Sequence, residues 1–110
     1  MMPNMKTIED RQHYIVNEFK SLTSWEDRYK KIIEWGRALP EMPAVQKTEE
    51  AKVKGCQSQV WLHARLSSDG KVLLQGDSDA LIVRGLVALL LQIYSNSLPH
   101  EILTLSLIHI

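Results

Sequence analysis

The residue best suited to chemistry is the single cysteine, Cys56, in the segment Lys54-Gly55-Cys56-Gln57-Ser58-Gln59. A thiolate is a nucleophile that can exchange sulfur with a disulfide or a persulfide. Gly55 lacks a Cβ and leaves room for another macromolecule beside the thiol. The polar neighbours indicate a loop, and Lys52 and Lys54 would favour the thiolate electrostatically. A lone cysteine can also be a small buried apolar side chain, so these residues alone leave both interpretations open.

Composition removes several other classes of function. The 110 residues suit one domain, residues 1–110, and the 13 basic residues balance the 13 acidic ones without a basic run, which argues against nucleic-acid binding. One cysteine makes no internal disulfide, and no Cys/His spacing predicts a metal site. The most apolar segment, residues 80–94, is shorter than a bilayer-spanning helix and contains Arg84 and Gln92. We therefore expect no membrane segment and a reducing, cytoplasmic location.

Two helices should precede the cysteine. Thr7 is a plausible N-cap for the first, with acidic residues in the first turn and apolar residues at helical spacing as far as Leu22. The spacing from Thr23 to Glu26 predicts a capping box for the second, which should end before Pro40. Residues 46–54 are charged and predict a solvated connector. The polar residues of the first helix should face solvent: Arg11, Asn17, Glu18 and Lys20.

A hairpin and a third helix should follow the cysteine. Alternating apolar residues from Val60 to Leu66 predict a strand, Gly70 a turn, and residues 72–75 the returning strand. The third helix, from Asp79 to about Tyr94, is apolar on nearly every side and should be buried. Asn96 would be its left-handed C-cap, and Ser97 would cap a further helix. The predicted fold class is α+β, with a small antiparallel sheet, a central hairpin, and helices packed against it.

Gly55-Cys56-Gln57-Ser58-Gln59-Val60-Trp61 resembles the signature of the SufE-type sulfur acceptors of iron–sulfur cluster assembly. Two more stretches resemble that family. One contains Trp25-Glu26-Asp27-Arg28-Tyr29, Ile32-Ile33-Glu34 and Leu39-Pro40; the other runs from Gly76-Asp77-Ser78-Asp79-Ala80 through Ile82-Val83-Arg84-Gly85-Leu86. Order and spacing agree over residues 25–103. The chain is identified as a member of this family, which implies a SufE/NifU-like fold.

The resemblance also implies a mechanism. A pyridoxal-phosphate (PLP) dependent cysteine desulfurase would hold sulfur as a persulfide, and Cys56 would accept that sulfur and pass it to an iron–sulfur cluster scaffold. Accepting the sulfur would also stimulate the desulfurase. The PLP belongs to the partner, so we expect this chain to have no cofactor and to be an accessory protein rather than an enzyme.

Site residues follow from the same resemblance. Cys56 would be the acceptor, and its loop would be shaped by Gly55, Gln57, Ser58 and Gln59. Asp79 and Arg84 would dock the partner or hold the loop, although a helix-start acid and an exposed helix residue are the ordinary interpretations of each.

Two other functions stay open at this stage. The chain could be a regulatory module that docks on the desulfurase without carrying sulfur. A Cys/His hydrolase using His63 has less support, because no oxyanion motif accompanies the pair and a surface position for His63 is the simpler expectation.

The chain's end does not follow the family pattern. Residues 104–110 are largely aliphatic, and the arginine-bearing motif usual in the family is absent. We therefore expect a chain that is C-terminally incomplete relative to the family. The apolar surface left uncovered would favour self-association, such as a homodimer.

Overall fold

The computed structural model describes residues 7–103. Its main elements are three α-helices, α1 (Ile8–Lys20), α2 (Trp25–Ala38) and α3 (Leu81–Tyr94), and two strands, β1 (Val60–Leu66) and β2 (Val72–Ser78). The strands follow α2 and precede α3. A 3-10 turn lies at Ala44–Gln46, and residues 99–103 form a short helix. The predicted α+β class is confirmed.

Local hydrogen bonds start the first two helices. Thr7 Oγ1 accepts from the Asp10 amide at 3.0 Å, which confirms the predicted cap. On α2 the cap is Ser24, whose Oγ accepts from the Asp27 amide at 3.1 Å. The predicted cap at Thr23 is therefore wrong by one residue, because Ser24 and Asp27 have the same capping spacing. α2 ends at Ala38, before Pro40 as predicted.

The antiparallel hairpin lies at the centre of the β-structure. β1 pairs with β2 from Leu66 opposite Val72 to Val60 opposite Ser78, and Gly70 has the positive φ of 81° that its turn requires. One isolated bridge lies on each side of the hairpin, Lys52 to Trp61 and Val72 to Ser97. These bridges give the sheet the central hairpin that the sequence predicted.

The predicted end of β2 and the predicted start of α3 are both wrong. β2 runs to Ser78 instead of ending near Gln75, because the pairing with β1 extends to Ser78. α3 consequently begins at Leu81, with Ala80 as N-cap, rather than at Asp79. Ser97 does not cap the next helix; it bridges to Val72, and the Leu98 amide instead donates to the side chain of Glu101 at 2.9 Å.

Close backbone contact joins α2 and α3. A Cβ added at Gly85 would lie 2.1 Å from the carbonyl oxygen of Ile32, and one added at Gly36 would lie 2.6 Å from that of Leu81. Only glycine permits this approach, since any side chain would overlap backbone atoms. α2 therefore fixes the position of the first turns of α3, which follow directly from β2.

Arg11 corrects a prediction for α1. It was expected to face solvent, but it is 6% exposed. Its guanidinium donates to the carbonyl oxygens of Ile93, Ser95 and Asn96 and to Ser97 Oγ, at 2.7–3.2 Å. The last carbonyls of a helix lack intrahelical partners and carry partial negative charge, so a cation with five donors stabilises them. Asn96, with φ 62°, is the left-handed residue predicted at this end.

The apolar side chains are buried less completely than the sequence predicted. Ile8 and Ile15 of α1 pack with Ile93 of α3, and the rings of Phe19 and Trp35 lie beside them with centroids 5.6 Å apart. α3 is not buried all round, however, because Leu86 and Leu90 remain about half exposed. In β1 the residues Leu62, Ala64 and Leu66 are also exposed. These apolar side chains are therefore accessible in the part of the chain that the structure describes.

Candidate functional site

Cys56 is exposed and lies in the loop formed by residues 54–59, here called the cysteine loop. The burial of a lone cysteine, one of the two interpretations left open by its residue type, therefore does not apply. The thiol is also one of the groups that line an apolar groove between the hairpin and α3. Cys56 thus borders solvent and an apolar surface at once.

Hydrogen bonds to β1 fix the start of the cysteine loop. The Val53 amide donates to the Val60 carbonyl at 2.7 Å, and the Leu62 amide donates to the Ala51 carbonyl at 2.9 Å. Residues 51–53 therefore run alongside β1. The prediction of a solvated connector is wrong for this part, since exposed charged side chains do not prevent backbone pairing at a sheet edge.

Gly55 has a φ of 86°, a conformation that L side chains rarely adopt, and open space surrounds the position of a Cβ. The turn before the thiol therefore needs glycine for its backbone, and no neighbour crowds it. Gln57 is exposed and Ser58 half-buried. Nothing in residues 7–103 forms a hydrogen bond with either side chain, so their predicted part in shaping the loop stays a prediction.

Ser78 and Asp79 hold the end of the cysteine loop. Asp79 Oδ1 accepts from the Gln59 amide at 3.0 Å, and the Asp79 amide donates back to the Gln59 carbonyl at 3.2 Å. Ser78 Oγ donates to the same carbonyl at 2.7 Å. Both backbone groups of Gln59 are therefore bound to the end of β2. The structure thus places Asp79 against the cysteine loop, while its predicted functional role stays a prediction.

Arg84 reaches a different group, Asp77. Arg84 Nε lies 3.0 Å from Asp77 Oδ1, and its Nη2 donates to the Leu39 carbonyl at 2.6 Å. The side chain is 23% exposed, so the alternative of an ordinary exposed helix residue is wrong. Arg84 does not touch the cysteine loop directly; it links α3 to the segment that follows α2.

Asp77 is the centre of a buried charge cluster. It is 2% exposed and accepts from the amides of Met42 at 3.0 Å and Ser78 at 2.7 Å. Lys47 Nζ lies 3.4 Å from Oδ2 and 5.1 Å from the centre of the Trp61 ring. We call Asp77 with Met42, Lys47, Ser78 and Arg84 the Asp77 cluster.

Burial by itself raises the pKa of Asp77, and it is the largest single influence on that carboxyl group. The two amide hydrogen bonds and the charges of Arg84 and Lys47 together outweigh it, so the pKa is lowered from its ordinary value of 3.8. Asp77 is therefore an anion at neutral pH.

The apolar groove has a volume of about 560 Å³. Its walls are aliphatic, apart from Cys56 and Tyr94, and they come from β1, β2 and α3 together with Val53 and Ile102. Leu86 and Leu90 of α3 stand on its wall and are 45% and 51% exposed. Such a surface binds apolar groups and offers few hydrogen bonds, so a sulfur atom on Cys56 would have an apolar wall beside it.

His63 makes no pair with Cys56. It is half-buried, and its Nδ1 is buried with no hydrogen-bond partner in the part of the chain that the structure describes. The expected surface position is therefore only partly correct. Over residues 7–103, no hydrogen bond joins His63 to the thiol, so the Cys/His hydrolase gains no support from the geometry.

Asp77 is the site residue that sequence reasoning missed. The segment from Gly76 to Asp79 was interpreted as a strand end with several helix caps, and nothing in it distinguished one acid from the other. Asp77 lies opposite Trp61 in the sheet, and a carboxylate buried there requires hydrogen bonds and cations; the sequence carries no signal of that burial.

Comparison with known proteins identifies the family of the chain. The family described as "SufE: Fe-S metabolism associated domain" matches residues 13–110. The chain belongs to the SufE family. That assignment connects the domain with Fe–S metabolism, and it confirms the resemblance found around Cys56.

Two relatives show how far the similarity extends. An uncharacterised SufE-like protein of Rhizobium meliloti is 50% identical over 91 residues, which are 80% of this chain and 65% of that protein. An uncharacterised SufE-like protein of Rhizobium etli is 49% identical over 94 residues, or 83% of this chain and 64% of that protein. The chain thus spans slightly less than two thirds of the length of these SufE-like relatives.

Two features of other kinds of site are absent from residues 7–103. No helix there has both the length and the hydropathy to cross a bilayer. Within the same range, no three His, Cys, Asp or Glu side chains are grouped so that they could hold a metal ion. The ending that was expected to depart from the family pattern, residues 104–110, falls within the family match and lies outside the described residues.

Proposed function

We propose that this chain is a sulfur acceptor that takes persulfide sulfur from a PLP-dependent cysteine desulfurase onto Cys56. The observation that carries the proposal is the exposed thiol of Cys56 on a loop anchored at both ends, in a chain of the SufE family. An acceptor thiol must be reachable by a partner protein yet held in place, and this loop combines the two.

The transfer is a thiol exchange at sulfur. The thiolate of Cys56 attacks the outer sulfur of the donor's persulfide, and a new S–S bond forms as the donor's own S–S bond breaks. The donor cysteine leaves as a thiolate with that bond's electron pair, and the outer sulfur remains on Cys56 as a persulfide. One S–S bond replaces another, so the step needs no external oxidant or reductant.

The surrounding residues support that step in different ways. Gly55 leaves space for the donor's loop, because apart from its own neighbours in the chain no residue has an atom within 4 Å of the position of its missing Cβ. Asp79 holds the loop through Gln59. The apolar groove beside Cys56 gives the transferred sulfur an apolar wall on one side.

The proposal also covers the destination of the sulfur, the effect on the desulfurase and the location of the protein. Cys56 passes its sulfur to an iron–sulfur cluster scaffold, and by emptying the donor it stimulates the desulfurase. The PLP is the partner's, so the chain acts as an accessory protein in the cytoplasm without a cofactor of its own.

Intact-mass analysis tests the acceptor role. The protein is incubated with a cysteine desulfurase and free cysteine, then measured with and without reductant. We expect a mass increase of one sulfur atom that reductant removes and that Cys56→Ser abolishes. A wild-type protein that gains no sulfur under conditions in which the desulfurase turns over would refute the proposal.

The same variant distinguishes the alternative of a docking module. Such a module would stimulate the desulfurase without carrying sulfur, so Cys56→Ser would stimulate it as well as wild type does. For a sulfur acceptor, Cys56→Ser binds the desulfurase but loses the stimulation.

A further inference from the structure

We propose that Asp77 is a positioning residue for sulfur acceptance, because its buried carboxylate fixes both the segment that leads into the cysteine loop and the strand that receives it. The inference rests on the proposed acceptor function for its chemical meaning. Asp77 touches no reacting atom; it would act through the backbone that carries Cys56.

The incoming side of the loop is held at two points. Asp77 Oδ2 accepts from the Met42 amide at 3.0 Å and lies 3.4 Å from Lys47 Nζ. Arg84, paired with Asp77 Oδ1, donates to the Leu39 carbonyl at 2.6 Å. The whole segment from the end of α2 to Lys47 is thereby bound to one carboxylate, nine residues before Cys56.

The outgoing side depends on the same group through its own strand. Asp77 Oδ1 accepts from the Ser78 amide at 2.7 Å. Ser78 and Asp79 then bind both backbone groups of Gln59. A shift of Asp77 would therefore move the groups that hold Gln59, three residues after Cys56.

The charge of Asp77 matters more than its shape. An asparagine could keep the contacts of one oxygen, but its NH₂ group would face the amide donor and the cation that bind the other oxygen. The cluster would then lose its anion while Lys47 and Arg84 remained largely buried, 26% and 23% exposed. Without the anion, the attraction that holds Lys47 and Arg84 beside β2 is lost, so the incoming segment should detach from the strand.

Asp77→Asn tests the inference through the rates of two reactions, measured under conditions in which the variant is fully folded. The first is alkylation of Cys56 by iodoacetamide, which needs only an accessible thiol. The second is sulfur uptake from a saturating cysteine desulfurase, which also needs correct placement. We expect uptake to fall about ten-fold, in line with the cost of misplacing a reacting group, while alkylation stays at or above the wild-type rate.

The matched control is Glu41→Gln. The carboxylate of Glu41 lies 4.0 Å from Lys47 Nζ, the lysine that Asp77 also faces, but its side chain is 82% exposed. Both of its rates should equal those of wild type. If Asp77→Asn does not fold, Lys47→Met removes one cation of the cluster and keeps the aliphatic stem over Trp61. That variant should show the same separation of the two rates, with uptake lowered about three-fold.

Two results would overturn the inference: wild-type uptake in a folded variant of Asp77 or Lys47, or a fall in alkylation that matches the fall in uptake. Failure of the acceptor function looks different, since wild-type protein would then take up no sulfur at all. In that case hydrogen exchange at the Gln59 amide still tests whether Asp77 positions the cysteine loop. It should be faster in Asp77→Asn than in Glu41→Gln, and equal rates would contradict the positioning role.

Discussion

Removing the Asp79 carboxylate should loosen the end of the cysteine loop without unfolding the protein. In Asp79→Ala the Gln59 amide loses the acceptor that lies 3.0 Å away. The bond is exposed, so its net contribution is about 1 kcal/mol despite the charge. Ser78 Oγ still binds the Gln59 carbonyl at 2.7 Å. Because about 1.4 kcal/mol corresponds to a factor of ten, local opening should become about five times more frequent.

Hydrogen exchange followed by NMR measures this opening directly. Exchange at the Gln59 amide should be about five times faster in Asp79→Ala, whereas the Leu62 amide, bound to the Ala51 carbonyl, should exchange at the wild-type rate. Asp79→Asn keeps a neutral acceptor and should give an intermediate value. Unchanged exchange at Gln59 in Asp79→Ala would show that Ser78 alone holds the loop, and the reasoning given for Asp79 would fail.

Three further predictions concern stability. Gly85→Ala should lower the free energy of unfolding by about 2 kcal/mol, because overlap with the Ile32 carbonyl outweighs the gain in helix propensity; urea denaturation measures it, and an unchanged midpoint would contradict the close contact. Arg11→Met should cost about 3 kcal/mol through the carbonyls left at the end of α3, which thermal denaturation would show as a lower Tm; a Tm equal to that of wild type would refute it. The folded pKa of Asp77 is below 3.8, so its stabilising effect is complete above about pH 5 and is lost as pH falls through that lowered pKa. The difference in unfolding free energy between wild type and Asp77→Asn should therefore shrink at pH 3. A difference that stays constant with pH would argue against an ionised Asp77.

Sequence reasoning succeeded where the physics is local. Thr7, Gly70 and Asn96 were placed correctly because a helix cap, a turn glycine and a left-handed C-cap each depend on a few neighbouring residues. Ser24 was missed because Thr23 offers an equally good cap one residue earlier. In the site, the residue type of Cys56 left two interpretations open, and the roles of Cys56 and Asp79 came from the family resemblance.

Contacts distant in sequence were not predictable in this way. Arg11 appears polar and solvent-facing until the end of α3 is known to lie against it, 82–86 residues later. Asp77 and Arg84 form a pair only because β2 runs three residues further than its alternation indicated. Leu86 and Leu90 were expected to be buried because helix composition does not show which side another element covers.

The anchors of the cysteine loop set how far its sulfur can travel. Val53 and Gln59 are bound to the sheet, and Cys56 lies three residues from each. An extended chain covers at most about 3.5 Å per residue, so the arm from either anchor reaches about 10 Å. If Cys56 accepts sulfur as proposed, that distance allows the thiol to enter a recess in a partner while the hairpin and helices keep their places. It also limits uptake to donors whose sulfur lies within one arm's length of their surface.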